Sequence, residues 1–204
     1  MATTQVTKPY TVTIEPDDLL TLEQYAALPD EPGWRTELTD GRVIRMPMIK
    51  DPAHGWIIAN LSRRLLPHVY DHQLGRLTFS QEGYDISNPN GEGETGWAPD
   101  LAFVATERLP LMQADRARKK YPRMAPDLAV EVISPSQTRK EVDEKIERWL
   151  GASTRLLWIV WPNRESVDVW QPDEPMHTLQ RHELLEGLEV VPGFSMPVAE
   201  LFVY

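Results

Sequence analysis

The sequence predicts a mixed α/β (α+β) fold, in which helices flank one central mixed sheet. Helical and strand-like patterns alternate along the chain, and two of the strand patterns are almost continuously apolar, which is typical of strands covered on both faces. The composition is globular, with 41% hydrophobic and 25% charged residues. A length of 204 residues favours a single domain over residues 1–204. Residues 1–17 lack periodicity and are interpreted as an N-terminal arm that adds one strand.

The first elements are a short helix and a hairpin. Residues 21–24, Thr-Leu-Glu-Gln, form a capping box, and Pro29 ends the helix that it opens. Residues 39–41, Thr-Asp-Gly, separate Leu38 from Val43, and this turn signal between apolar residues predicts a hairpin over residues 35–46.

A longer helix is expected to follow, with Asp51 as N-cap and Pro52 as its first residue. Its apolar residues recur at the helical period: Ile57, Ile58, Leu61 and Leu65. Pro67 is expected to interrupt it. His68 and His72 have the spacing of a helical metal pair, but the interruption favours a solvated or capping role for both.

The rest of the chain alternates strands with one helix. Strands are predicted over 76–79, 83–87, 98–105, 128–133, 156–160 and 166–170, a helix over 138–150, further strands after 179, and a final helical turn over 198–202. Between the two apolar strands lies a basic run, Arg116, Arg118, Lys119, Lys120 and Arg123. This run is either a solvated loop or a phosphate-binding loop.

Charge and composition narrow the function classes. The formal charge is −10, from 21 Lys and Arg against 31 Asp and Glu, which argues against coating nucleic acid by net charge. The absence of cysteine excludes disulfides, thiolate metal sites and cysteine nucleophiles. No apolar run reaches the ~18 residues of a membrane span, and no secretory signal is visible, so we expect a cytoplasmic protein without a membrane partner.

Glu131 is the one charge inside the second apolar run. Burying a carboxylate costs several kcal/mol of free energy unless a cation or hydrogen bonds compensate it. One interpretation is an ion pair with an arginine such as Arg155. Asp127 cannot share a metal ion with Glu131, because four residues along a strand span about 13 Å. Asp100, at the start of the neighbouring strand, lies only about 4.8 Å away if the register allows. Asp100 and Glu131 are therefore candidate ligands of one divalent ion.

A cation is the third candidate member of the site. In the compact nuclease pattern a lysine follows the glutamate by two residues, but Ile133 occupies that position here. Lys145 flanks the buried stripe of the following helix and could lean toward the strand end. The alternative is an exposed ion pair with Glu141, four residues earlier, which contributes only about 0.3–0.5 kcal/mol.

These residues resemble the Uma family of restriction-endonuclease-like proteins over residues 21–202. The resemblance rests on Glu37-Leu38-Thr39-Asp40-Gly41, His54, Ala98-Pro99-Asp100, residues 126–136 and Lys145. It implies the PD-(D/E)XK nuclease fold, with Asp100 and Glu131 as metal ligands and Lys145 as a catalytic lysine moved to the helix. Glu37 and His54 match further family positions and join the candidate catalytic residues. Trp149 departs from the usual Tyr of the family.

The chemistry that the resemblance implies is Mg²⁺-dependent hydrolysis of DNA, with Mn²⁺ as a substitute. Two carboxylates and an ammonium suit this reaction, because a bound Mg²⁺ neutralises developing charge while the ammonium orients the nucleophile. A homodimer is expected, because cutting two strands pairs two sites about a two-fold axis. The alternative is a weak or inactive nuclease-fold module that binds nucleic acid or a protein partner. A cupin-type metalloenzyme is disfavoured by the lack of a His-X-His pair.

Overall fold

The structure, a computed structural model, describes residues 12–14, 19–47, 52–80, 82–117 and 121–203. The strands are β1 (Val12–Ile14), β2 (Trp34–Thr39), β3 (Arg42–Pro47), β4 (Gly75–Phe79), β5 (Tyr84–Asp85), β6 (Gly96–Trp97), β7 (Leu101–Ala105), β8 (Leu128–Val132), β9 (Leu156–Trp161), β10 (Ser166–Trp170), β11 (His177–Leu179), β12 (Leu184–Glu186) and β13 (Ser195–Pro197). The α-helices are α1 (Leu22–Ala26), α2 (Pro52–Asp71), α3 (Leu109–Ala117) and α4 (Arg139–Gly151), and a 3-10 helix closes the described chain over Val198–Phe202.

A six-stranded mixed sheet forms the centre of the fold, in the order β11-β10-β9-β8-β7-β4. Strands β8 and β9 run parallel and are joined through α4, whereas every other pair in this sheet is antiparallel. A second, antiparallel sheet has the order β1-β3-β2-β6-β5, and β12 pairs with β13. The predicted mixed α/β architecture is confirmed.

The apolar runs of β7 and β8 are explained by cover on both faces. Leu101, Phe103 and Val130 point into a core that includes the buried face of α2. Ala102 and Ala129 point the other way, into a core that includes the buried face of α4. Because side chains alternate along a strand, a strand between two helical layers must be apolar at almost every position.

Helix α2 continues through Pro67, so the predicted interruption is wrong. Proline inside a helix costs about 3 kcal/mol through a lost hydrogen bond and a steric clash. Leu65 and Val69, two positions before and after the proline, are both fully buried. Each buried side chain of this size contributes about 1.5–3 kcal/mol. Burial of the second half of the helix therefore outweighs the proline.

The segment between β7 and β8 contains α3, which the sequence pattern did not predict as a helix. Pro110 is tolerated in its first turn, where a backbone donor has no partner in the helix. Met112 supplies the buried contact of this helix with the core beneath α4. Arg118, Lys119 and Lys120 of the basic run, and the predicted N-cap Asp51, lie outside the described residues.

Strand ends differ from the expected bounds where proline intervenes. The strand predicted from residue 98 begins at Leu101, because Pro99 has no amide hydrogen for the ladder. The hairpin formed by β2 and β3 is present as predicted, and its turn residues Asp40 and Gly41 both have positive φ. Within the described residues, no helix is long and apolar enough to cross a membrane.

Candidate active site

The register of β7 and β8 brings Asp100 next to Glu131. Leu101 pairs with Val130, so the next step of the same antiparallel register places Asp100 across from Glu131. The amide of Asp100 continues this pairing by donating to the Val130 carbonyl at 3.0 Å. Directly opposed residues have their Cβ atoms about 5 Å apart on one face of the sheet. Both side chains are buried, Asp100 at 4% and Glu131 at 2% exposure.

Glu131 is held by two residues of α4. Lys145 places its Nζ atom 2.7 Å from Oε2, and the Trp149 indole donates to Oε1 at 2.9 Å. Thr138 starts this helix with a complete capping box, and positions 145 and 149 then share the face that lies over β8. The alternative pairing of Lys145 with Glu141 is wrong, because Glu141 is the capping-box partner of Thr138.

Asp100 is held by three groups from different parts of the chain. His54, in the first turn of α2, places Nε2 3.0 Å from Oδ2 of Asp100. The Val132 amide donates to the same oxygen at 2.8 Å. On the other side, an Arg35 guanidinium nitrogen lies 3.5 Å from Oδ1. His54 and Asp100 are thus brought together although they are far apart in sequence.

Arg35 also connects Glu37 to the site. Both residues lie on β2 two positions apart, so their side chains share one face of the strand. Arg35 contacts the Glu37 carboxylate at 3.1 Å and donates to the carbonyl of Ala98. The five sequence-predicted residues therefore form one cluster, with Glu37 joined to it through Arg35.

Comparison with known proteins identifies the family of the chain. The family model of Uma2, described as "putative restriction endonuclease", matches residues 22–199. The chain belongs to the Uma2 family. A solved structure described as "a putative nuclease belonging to DUF820", from Anabaena variabilis, superposes with a TM-score of 0.71 at 20% identity, covering 90% of this chain and 97% of that one. At this identity the likeness shows the fold alone. None of the curated proteins matches the chain significantly.

The charged groups of this cluster influence one another's ionisation. Burial opposes ionisation of Asp100, but contact with His54, and then the charges of Lys145 and Arg35, lower the pKa of Asp100 overall. Burial raises the pKa of Glu131, and the negative charge of Asp100 adds to the effect despite Lys145. Ionising both carboxylates therefore requires positive charge nearby.

The three basic groups stay protonated more firmly than in water. Burial would lower the pKa of Lys145, but the charges of Glu131, Glu37 and Asp100 outweigh it and raise the pKa. The pKa of Arg35 is raised in the same way, with Glu37 and Asp100 outweighing burial. For His54, the contact with Asp100 outweighs burial and raises the pKa.

Asp127 lies away from this Uma2 site and has a different role. Its Oδ2 atom accepts from the Ala105 amide at 2.9 Å, and its Oδ1 atom lies 2.9 Å from Arg108 and 3.4 Å from Arg155. The suggested pairing of Arg155 with Glu131 is therefore wrong, because Arg155 neutralises Asp127.

Sequence reasoning missed two groups at the site. Arg35 had a signal, because it lies two residues before Glu37 in a predicted hairpin strand and so shares its face. Trp149 is fully buried, and its indole N–H also donates to Glu131. That contact depends on a ring orientation that the sequence does not specify.

The donor set fits a hard divalent cation with few protein ligands. Within the described residues, no three His, Asp or Glu side chains lie close enough together to hold a metal ion. Asp100 and Glu131 nevertheless supply carboxylate oxygens from adjacent strands. Mg²⁺ is usually bound through one or two carboxylates and keeps several waters. Each carboxylate oxygen also has more than one lone pair, so the present hydrogen bonds leave acceptor capacity.

Proposed function

We propose that this Uma2 protein is a Mg²⁺-dependent endodeoxyribonuclease, a hydrolase of DNA phosphodiester bonds. The observation that carries the proposal is the contact of Lys145 with Glu131 at 2.7 Å, beside the opposed Asp100. Two carboxylates and one ammonium, drawn from a sheet and a helix, match the groups that phosphodiester hydrolysis requires. The DNA substrate and the metal rest on the family and on this donor set.

Each residue has a role in this proposal. Asp100 and Glu131 would hold Mg²⁺, or Mn²⁺ as its substitute, and the ion would neutralise phosphate charge and make a water molecule more acidic. Lys145 orients the attacking water and stabilises negative charge as it develops. Arg35 and His54 balance the carboxylates before the cation enters, and Glu37 fixes the guanidinium of Arg35.

Cleavage of supercoiled plasmid tests the proposal. The wild type is expected to nick plasmid in Mg²⁺ or Mn²⁺ and to lose this activity in excess chelator. Lys145→Ala is expected to lower the nicking rate by about 100-fold or more, as for other single groups that stabilise transition-state charge. Lys140→Ala is the matched control, because Lys140 lies on the same helix in an exposed pair with Glu144.

A second candidate function is a binding module without catalysis. It is favoured by the bonds that both Glu131 oxygens already make within the protein, to Lys145 and Trp149. If the wild type nicks no DNA in either metal, the module becomes the better account. Equal nicking by wild type and Lys145→Ala would instead refute the role of the lysine alone.

A further inference from the structure

A cavity of about 120 Å³ lies beside the carboxylate cluster. It shares a wall with that cluster, because Arg35, Glu37 and Ala98 line it. Arg35 therefore faces the cavity and also contacts Asp100 at 3.5 Å. Anything bound in the cavity lies one side chain away from the candidate catalytic carboxylates.

Part of the cavity lining is aromatic. Tyr25 and Tyr121 stack with their ring centroids 6.4 Å apart and an interplanar angle of 27°, and both line the cavity. The Tyr25 hydroxyl donates to the Thr36 carbonyl at 2.7 Å, which fixes that ring. Gly83 makes room for the second ring, because a Cβ there would overlap Tyr121.

The polar wall is balanced in charge. Arg35 and Glu37 are paired at 3.1 Å, so this wall presents donors and acceptors together with little net charge. Such a wall disfavours a free anion and suits an uncharged group that carries both donors and acceptors on its edge. The cavity is open to solvent on part of its surface, and its volume of about 120 Å³ is on the scale of one flat ring system and too small for a helix or a strand.

We propose that this cavity binds one unstacked nucleobase of DNA, next to the phosphate that is cut. This inference rests on the proposed nuclease function and adds a substrate requirement, namely a base taken out of its stack. A base meets each wall in a suitable way: its face packs on Tyr121, and its edge reaches Arg35 and Glu37. Base–aromatic stacking tolerates any sequence, so the pocket selects exposed bases and not a particular base.

Binding of abasic DNA tests the proposal. The probe is a fluorescein-labelled 12-nucleotide single strand, compared with a strand of the same length and backbone that carries no bases. Fluorescence anisotropy is measured in Ca²⁺ without Mg²⁺. For the wild type, removal of the bases is expected to weaken binding about tenfold, the size of one aromatic stack. All bases are removed because a pocket that accepts any base would take up a neighbouring one if only one were missing.

Variants at the aromatic wall connect this loss to the cavity. Tyr121→Ala is expected to bind the intact strand about tenfold more weakly than the wild type does, and to bind the abasic strand as tightly as the wild type does. Tyr121→Phe keeps the ring and should retain the discrimination. Gly83→Ala displaces the same ring from the other side and should reproduce the loss, with circular dichroism confirming that each variant is folded.

The outcomes separate this inference from the proposed function. The pocket assignment is refuted if wild type binds the intact and the abasic strand alike, if it binds no DNA, or if Tyr121→Ala still binds the intact strand more tightly than the abasic one. If the protein nicks plasmid but binds intact and abasic DNA equally, the pocket assignment is refuted and the nuclease proposal is retained. Discrimination without nicking in Mg²⁺ or Mn²⁺ refutes the nuclease and leaves the pocket as a binding site.

Discussion

Replacing Trp149 by phenylalanine measures how much the buried indole stabilises Glu131. The change removes the N–H that donates to Oε1 at 2.9 Å and retains an aromatic ring. Hydrogen bonds to charged groups contribute about 1.5–3 kcal/mol. For a domain of this size, each kcal/mol of unfolding free energy shifts Tm by about 2–4 °C. We therefore expect the hydrogen bond alone to lower Tm by roughly 3–12 °C.

Trp158→Phe is the matched control. Trp149 and Trp158 are both fully buried, so the two substitutions remove similar packing. The Trp158 indole N–H has no hydrogen-bond partner in the described structure, so its removal leaves no acceptor unsatisfied. The two cavities are of similar size and cancel in the difference between the variants, which then contains the bond to Glu131 together with the stability gained by removing the unpaired Trp158 donor.

Urea unfolding followed by far-UV circular dichroism provides the measurement, because fluorescence would change with the tryptophan itself. Equal m-values would establish that only stability has changed. Trp149→Phe should be less stable than Trp158→Phe by at least about 1.5–3 kcal/mol at neutral pH. The difference should shrink as the pH falls through the pKa of Glu131, because a protonated carboxyl accepts more weakly. If the two variants are equally stable, the indole contributes packing alone.

Three further predictions concern His54, Asp127 and assembly. Because contact with Asp100 raises the pKa of His54, its stabilisation is complete below about pH 6.5 and is lost as pH rises through the folded pKa. The Tm gap between wild type and His54→Asn should therefore be larger near about pH 6 than near about pH 9, and a constant gap would contradict this. Asp127→Ala should cost about 3 kcal/mol in urea unfolding, by leaving the buried Ala105 amide without an acceptor and Arg108 without its carboxylate partner, yet leave plasmid nicking intact at low temperature. Loss of nicking by the folded variant would instead place Asp127 in the active site. We expect a homodimer in light scattering, and a monomer at every concentration would contradict it.

Local patterns were sufficient for most of the fold. The capping box at Thr21, the apolar period over residues 138–150 and the turn at Asp40 predicted α1, α4 and the first hairpin, because each depends on residues within a few positions. The interruption predicted at Pro67 was wrong, and α3 was not predicted, for the opposite reason. Their outcome depends on burial against a core formed by distant segments, and that energy does not appear in a local pattern.

The candidate site divides in the same way. Glu131 could be predicted as a site residue because a charge within an apolar strand requires compensation. Asp100 could be predicted because it begins the neighbouring strand. Predicting the contact between Lys145 and Glu131 required the apolar stripe of the helix as well as the pattern of the strand. Arg35 reaches Asp100 across 65 positions of sequence, and only the folded arrangement of β2 beside β6 and the start of β7 brings the two together.

The cap of α4 sets which insertions this chain can tolerate. Thr138 fixes the first turn, and Lys145 follows seven positions later, about two helical turns on. One inserted residue between them would rotate the ammonium by about 100° around the axis and away from Glu131. The preceding segment, from Ser134 to Gln137, is not helical and could change in length without altering that phase. A lysine on a strand must lie at a fixed number of residues from the glutamate, whereas a lysine on a helix must lie at a fixed angle around the helix axis. Variants with a longer or shorter loop before Thr138 should therefore retain activity, and variants with an insertion inside the helix should not.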